Sequence, residues 1–374
     1  MADRYIPFTK VLRDLPASTP FVGPEALERR TGRAFRARLG ANESCFGVSP
    51  KAAAAMREVA DQVWKYGDSE SFDLRRALAA KHGIAEEQIS VGAGVDEILG
   101  NVVRLVVEPG TTVVTSNGAY PTFNYHVEGF GGRLHMVPYK DGYEDLDALL
   151  AAVRETGAPL VYMSNPDNPM GSWHDAATIN DFVRALPAGT LLVLDEAYIE
   201  FAPQAAAPAM DPDDPQVVRM RTFSKVHGLA GTRIGYAIGH RDLVTGLDKI
   251  RNHFGVTLVA QVGALASLND PDFLQGVIDQ VAEGRRDYEK LARRLGFRAL
   301  PSATNFVAID VGGAERARFL LNALQDEGVF VRVPPVAPLN RHVRVSVGTP
   351  RERAIFAEAL EKVAADMPAE TEDG

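Results

Sequence analysis

Cysteine is nearly absent from this chain. Cys45 is the single one in 374 residues, so no intramolecular disulfide and no multi-cysteine zinc site can form, and nothing calls for an oxidising compartment. An excess of positive charge is also missing. Lys+Arg number 40 against Asp+Glu 49, a formal net charge of −9, and outside the acidic C-terminal tail no block of like charge exceeds a few residues. That balance disfavours nucleic acid as a partner. No uncharged run approaches the ~18 residues of a membrane span, and Met1-Ala-Asp-Arg-Tyr-Ile-Pro7 contains no apolar signal core. A cytoplasmic protein with no membrane partner and no metal site is expected.

What is present is an ordinary globular composition, 46% hydrophobic and 24% charged, with too many apolar residues and too little net charge for disorder. The length suits one large α/β domain and a smaller one, at ~100–200 residues per domain. From about Ser90 to Ile238, short apolar runs alternate with helical stretches, the pattern of βαβ units and a mainly parallel sheet. Strands are expected at 112–115, 160–163, 191–194, 217–220 and 234–238, and a helix at 146–155. Val95, Ile98, Leu99, Val102, Val103, Val106 and Val107 recur at helical spacing after the Gly92-Ala93-Gly94 turn. Beyond Asp270-Pro271 a long amphipathic helix runs to about Arg294. A strand (306–309), a helix (315–327), two short strands (329–333, 343–347) and a last helix (351–365) follow. The expected division is an N-terminal arm 1–40, a large domain 41–270, a small α+β domain 271–365 and a disordered acidic tail 366–374.

The chemistry concentrates in Arg221-Thr-Phe-Ser-Lys-Val-His-Gly-Leu-Ala-Gly-Thr-Arg-Ile-Gly-Tyr236. A strand ends in a turn that presents Ser224 and Lys225, and Arg233 follows eight residues after the lysine. A lysine partly desolvated near other cations becomes an amine nucleophile able to form a Schiff base, whereas arginine keeps its charge and binds phosphate in a bidentate manner. Asp195 closes the apolar run 191–194, at the carboxyl end of a parallel strand where open α/β sheets bind ligands, and Tyr198 lies three residues on. Asn165-Pro-Asp-Asn-Pro-Met-Gly171 is a rigid turn that can aim Asn168. Gly94, Val95 and Asp96 open a helix whose free N–H groups suit a phosphate, although the segment matches neither a dinucleotide nor a nucleoside-triphosphate motif. Tyr120, before Pro121, offers an aromatic face. Taken singly, each has a plain structural reading: a solvated lysine, a capping aspartate, a proline turn, a packed tyrosine.

Together, and in this order and spacing, these segments resemble the fold-type I, class I/II aminotransferases that use pyridoxal 5′-phosphate, most closely the histidinol-phosphate aminotransferase branch. The resemblance covers about residues 39–359. It implies a fold-type I pyridoxal-phosphate transferase with a large cofactor-binding domain and a smaller α+β C-terminal domain. It also implies that Lys225 forms the internal aldimine and moves the proton between substrate and cofactor. Asp195 pairs with the pyridine nitrogen, and Asn168 and Tyr198 hold the ring oxygen. Ser224, Arg233 and the backbone of Gly94, Val95 and Asp96 cradle the phosphate, and Tyr120 stacks on the ring, with Phe123 as a rival. Tyr66 matches a tyrosine that reaches the neighbouring subunit's phosphate, implying a homodimer with shared sites.

On the substrate side, the resemblance assigns Arg344 and Arg332 to an acidic group and Asn42 to the border of the site. The small-molecule partners are an amino donor and a 2-oxo acid, here 2-oxoglutarate. Gly67, Met170, Ser44 and Cys45 depart from the branch's usual residues. Three alternatives stay open. The donor is an aromatic or other amino acid, or the enzyme is a decarboxylase of the same fold, or the domain binds effectors for a transcription regulator. The short segment before Asn42 and the charge of −9 argue against the last.

Overall fold

A computed structural model of the protein describes residues 6–16 and 22–368, so most of the expected acidic tail, 369–374, lies outside the described residues. Strands Leu160–Ser164 and Leu191–Asp195 are buried at every position. A strand covered on both faces needs no polar alternation, which is why these runs read as continuous apolar stretches. They pair in parallel, from Leu160 beside Leu191 to Ser164 beside Asp195, near the centre of a seven-stranded sheet. The order across it is Ile89–Gly92, Gly235–Gly239, Val217–Thr222, Leu191–Asp195, Leu160–Ser164, Thr112–Ser116 and Arg133–Val137. Gly235–Gly239 runs antiparallel to both its neighbours; every other pairing is parallel. The α/β architecture with a mainly parallel sheet expected from the sequence is the architecture observed.

Side-chain alternation along the strands feeds two separate cores. Leu160, Tyr162, Leu191 and Val193 face helix Val95–Val106 and Phe123, while Val161, Met163, Leu192 and Leu194 face helices Leu146–Thr156 and Ala176–Ala185. Each large apolar side chain withdrawn from water contributes roughly 1.5–3 kcal/mol before entropy is counted. The stripe read from Val95 to Val103 is the buried face of its helix. Helices Phe72–His82 and Leu258–Leu268 cover Ile89, Val91, Tyr236 and Ile238 at the other end of the sheet.

The C-terminal part has its own antiparallel sheet, Arg298–Ala299, Phe306–Asp310 and His342–Ser346, packed on helices Pro271–Arg294, Ala314–Asp326 and Pro350–Ala364. Only Val329–Phe330 of the expected strand 329–333 is regular, and it pairs in parallel with Ala37–Arg38. Ala37 and Leu39 therefore belong to the C-terminal core. From there the chain crosses toward the large sheet through residues 40–48. Among the described residues no helix is long and apolar enough to cross a membrane.

Candidate active site

Parallel strands bring their carboxyl ends to one edge of the sheet, and polar groups converge there. Ser164, Asp195 and Thr222 each end a strand and line a cavity of about 340 Å³. Lys225, Ser224, Tyr198, Asn168, Tyr120, Val95, Asp96 and Arg233 line the same cavity. Of the expected site residues these are brought together from segments more than a hundred positions apart.

Asp195 is 5% exposed and carries no salt bridge among the described residues; it accepts from the Tyr162 hydroxyl at 2.8 Å and from the Ala197 amide at 3.0 Å. Burial pushes its carboxyl up to about 6, against these two hydrogen bonds, which favour the charged form. A buried anion with that deficit suits a cationic ring nitrogen.

Lys225 donates to the main-chain carbonyl of Asn42 at 3.1 Å and lies 5.3 Å from the centre of the Tyr198 ring. Its loop is held by a close backbone approach. Gly228 has φ +68°, and a Cβ there would lie 2.0 Å from the Gly47 carbonyl oxygen, so only glycine lets the lysine turn meet the crossing segment.

At the opposite side, Gly94 (φ +83°) precedes helix Val95–Val106, and a Cβ on it would meet the Arg233 guanidinium at 2.6 Å. The missing side chain leaves the helix's free N–H groups and the arginine facing one space, an arrangement fit for a phosphate. Arg233, itself at φ +54°, donates to Asp96 at 3.1 Å, and Asp96 accepts from the Tyr120 hydroxyl at 2.8 Å. Between the rival aromatics, Tyr120 lines the cavity, while Phe123 is fully buried and stacked on Tyr162 with ring centres 4.6 Å apart.

Two expected residues, Arg344 and Asn42, sit beside the cavity rather than on its wall, and two more, Arg332 and Tyr66, lie away from it. Arg344 donates to the Asn168 side chain and to the Gly40 carbonyl, and burial lowers the pKa of its guanidinium. Asn42 is 2% exposed in a left-handed conformation (φ +55°), donates to the Tyr198 hydroxyl at 3.0 Å and accepts from Ser346. Arg332 points elsewhere, donating to the Val22 carbonyl at 2.6 Å above the Phe330 ring. Tyr66 is 78% exposed against Phe254, away from the cavity of its own chain.

Sequence reasoning missed Ser164, Thr222 and Tyr162, whose strand positions look like ordinary core. It also missed Asn305, which donates to the carbonyls of Asn42 and Glu43. A signal was available for two of them: Ser164 and Thr222 are polar residues that close otherwise largely buried strands.

A family model described as aminotransferase class I and II matches residues 37–360. Histidinol-phosphate aminotransferase 2 of Pseudomonas fluorescens is 35% identical over 333 residues, 88% of this chain and 89% of that protein. Histidinol-phosphate aminotransferase 2 of Carboxydothermus hydrogenoformans is 32% identical, covering 95% and 98%. Among solved structures, histidinol-phosphate aminotransferase from Sinorhizobium meliloti in complex with pyridoxal-5′-phosphate superposes with a TM-score of 0.94 at 50% identity, over 97% of this chain and 99% of that one. The chain belongs to the aminotransferase class I and II family.

Proposed function

We propose that the protein is a pyridoxal-5′-phosphate-dependent aminotransferase of the histidinol-phosphate type, passing an amino group to 2-oxoglutarate. One observation carries this reading: a single cavity sets the amine of Lys225 and the buried carboxylate of Asp195 apart from the Gly94–Arg233 cradle. An amine, an anion for a ring nitrogen and a phosphate seat are the three features this cofactor requires.

In this reading Asp195 holds the ring nitrogen, Asn168 and Tyr198 the ring oxygen, and Tyr120 the ring face. Ser224, Arg233 and the backbone of Gly94, Val95 and Asp96 hold the phosphate. When bound, the cofactor supplies an electron sink for the pair released from the substrate's Cα–H bond. Lys225 would take the proton from that carbon and pass it to C4′ of the cofactor, the transfer an amino-group exchange needs. The Asn42 carbonyl holds the lysine amine beside the site, and Asn42 steadies Tyr198. Arg344, which has no carboxylate partner among the described residues, receives the acidic group of the substrate, and Asn42 borders it; Arg332, here hydrogen-bonded to Val22, is the second candidate for the same group.

The same reading makes the protein a cytoplasmic homodimer active in histidine biosynthesis. Tyr66, Trp64 and Phe254, 78%, 84% and 53% exposed, form the face on which Tyr66 would reach the neighbouring subunit's phosphate. It also keeps the cofactor domain at 41–270 and the small domain at 271–365, although the C-terminal core takes in Ala37 and Leu39 and, from the large domain, Tyr198, Phe201 and Val226.

The test is a donor screen with the loaded enzyme. Histidinol phosphate, phenylalanine and aspartate are offered in turn, and the absorbance change from the aldehyde to the amine form of the cofactor is followed, then reversed with 2-oxoglutarate. Histidinol phosphate is expected to convert the cofactor fastest. Preference for phenylalanine or aspartate rejects the donor, and CO₂ release without glutamate rejects the transfer.

A further inference from the structure

Behind the cavity wall two carboxyl groups face one another. Glu144 ends the short strand Tyr143–Glu144, and Asp167 lies in the turn after strand Leu160–Ser164; they are 1% and 2% exposed. Glu144 Oε1 accepts from the Ser164 amide at 2.8 Å and its hydroxyl at 3.1 Å, and Oε2 accepts from the Ser116 hydroxyl at 2.7 Å. Asp167 Oδ1 accepts from the Tyr139 hydroxyl at 2.7 Å and lies 3.2 Å from Ser164 Oγ, while Oδ2 accepts from the Met170 amide at 2.8 Å. All these donors are neutral, and among the described residues neither carboxyl forms a salt bridge.

Ser164 Oγ has one hydrogen and lies within reach of an oxygen on each group. Were both ionised, one would face a hydroxyl lone pair, and two buried negative charges would stand together with no salt-bridge partner among the described residues. Like charges so placed do not both ionise. We propose that Glu144 and Asp167 share one proton, carried on Glu144, and act together as positioning residues for Ser164 and the turn that presents Asn168. Burial first, then Asp167, raises the Glu144 carboxyl; burial raises Asp167 too, while hydrogen bonds, Glu144's among them, pull it back.

The consequence reaches the site by two short steps. The Asn168 amide lies 3.4 Å from Ser164 Oγ, and the Asn168 side chain accepts from Arg344. Asp167 also acts on the Arg344 guanidinium through its charge. The pair thus sets both the residue for the cofactor ring oxygen and the residue for the substrate's acidic group, and this step rests on that assignment of Asn168 and Arg344. The other titratable groups facing the pair are Tyr139, Tyr162 and His174, whose ring nitrogen lies 2.9 Å from the Glu144 carbonyl. Burial raises both phenols and lowers the imidazole, so all three stay neutral from neutral to mildly alkaline pH.

The experiment uses the full chain, first without cofactor. Glu144→Gln supplies a permanently neutral donor to Asp167. The infrared difference spectrum of wild type minus Glu144→Gln at neutral pH is expected to contain the carbonyl stretch of a protonated carboxylic acid, shifted in D₂O; its absence overturns the shared proton. Asp167→Asn, by removing the like charge, is expected to lose the same band. A group whose pKa is raised by folding stabilises at low pH and loses that contribution as pH rises through its folded value. The wild-type melting temperature is therefore expected to fall more steeply than that of Glu144→Gln as pH rises from 4.5 to about 8, and parallel curves overturn the proposal.

With cofactor bound, Glu144→Ala is expected to lower kcat/KM on the order of ten- to a hundredfold through misplacement, mainly in KM, with Glu144→Gln restoring it. A folded alanine variant equal to wild type overturns the positioning role; should it not fold, Asp167→Asn takes its place in the same assay. A protein inactive toward every donor leaves the infrared and melting results standing, so the two readings fail separately.

Discussion

Lys225 donates to the main-chain carbonyl of Asn42 at 3.1 Å, although the two residues lie 183 positions apart. The amine is thereby drawn to the segment that crosses from the C-terminal core to the large sheet. The same carbonyl accepts from Asn305 at 3.1 Å, so three distant segments meet at one oxygen. If Lys225 is the nucleophile, as proposed, a flexible side chain is useful only when its approach is directed, and this contact would direct it.

Lys225→Ala is expected to abolish the covalent attachment of the cofactor and to reduce turnover by at least about 10²–10⁴-fold, the range of proton transfer by a positioned group alone. The absorbance spectrum of the purified variant and its single-turnover rate check this. A variant that still binds the cofactor covalently shows that another lysine serves.

Asp195 has a pH dependence with a definite sign. Burial raises its carboxyl from 3.8 to about 6, so its contribution to the stability of the cofactor-free fold is present at low pH and is lost as pH rises through that window. The ionised form, which in the proposed reading pairs with a ring nitrogen, is populated above about 6. Tyr162→Phe removes a donor to that charge and is expected to move the acid limb of cofactor binding upward by about one to two pH units, the equivalent of a hydrogen bond to a charged group. Cofactor affinity measured against pH checks it; an unmoved limb excludes Asp195 as the titrating group.

Arg344→Ala is expected to weaken the acidic substrate by roughly 2–5 kcal/mol, since a buried charge-assisted pair is lost and the partner charge is left unpaired. KM for each half-reaction is the readout, and unchanged values in both show that the anchor lies elsewhere.

Glu196 concerns stability rather than chemistry. Fully buried, it accepts from Arg219 at 2.5 Å and from Arg221 at 2.9 Å. Burial raises its carboxyl, but Arg221 and Arg219 together outweigh that and hold it below its ordinary value. Glu196→Ala leaves two guanidinium groups beside an empty place and is expected to cost about 3–5 kcal/mol, measured by denaturant unfolding. A loss below 1 kcal/mol would mean that water replaces the carboxylate.

Local pattern was enough for the central elements. The runs 160–163 and 191–194 are strands because continuous apolar sequence can be covered on both faces only inside a sheet, and Val95 to Val103 form a helix because their spacing makes one stripe. Arg133–Val137 escaped this reading: it lies at the edge of the sheet, where one side is solvent-facing and polar residues such as Arg133 and His135 break the pattern. Ile89–Gly92 is only four residues long.

The sequence by itself determined the residue types of the site and their order: Asp195 closing a strand, Lys225 in a turn, Gly94 opening a helix. These are local because backbone geometry at strand ends, turns and helix starts depends on a few neighbours. Only the tertiary structure decided which of them share a cavity. It put Tyr120 on the wall and Phe123 in the core, turned Arg332 toward Val22, and set Glu144 against Asp167. Such pairings depend on the register of strands and on which helix covers which face, relationships between segments that no local pattern contains.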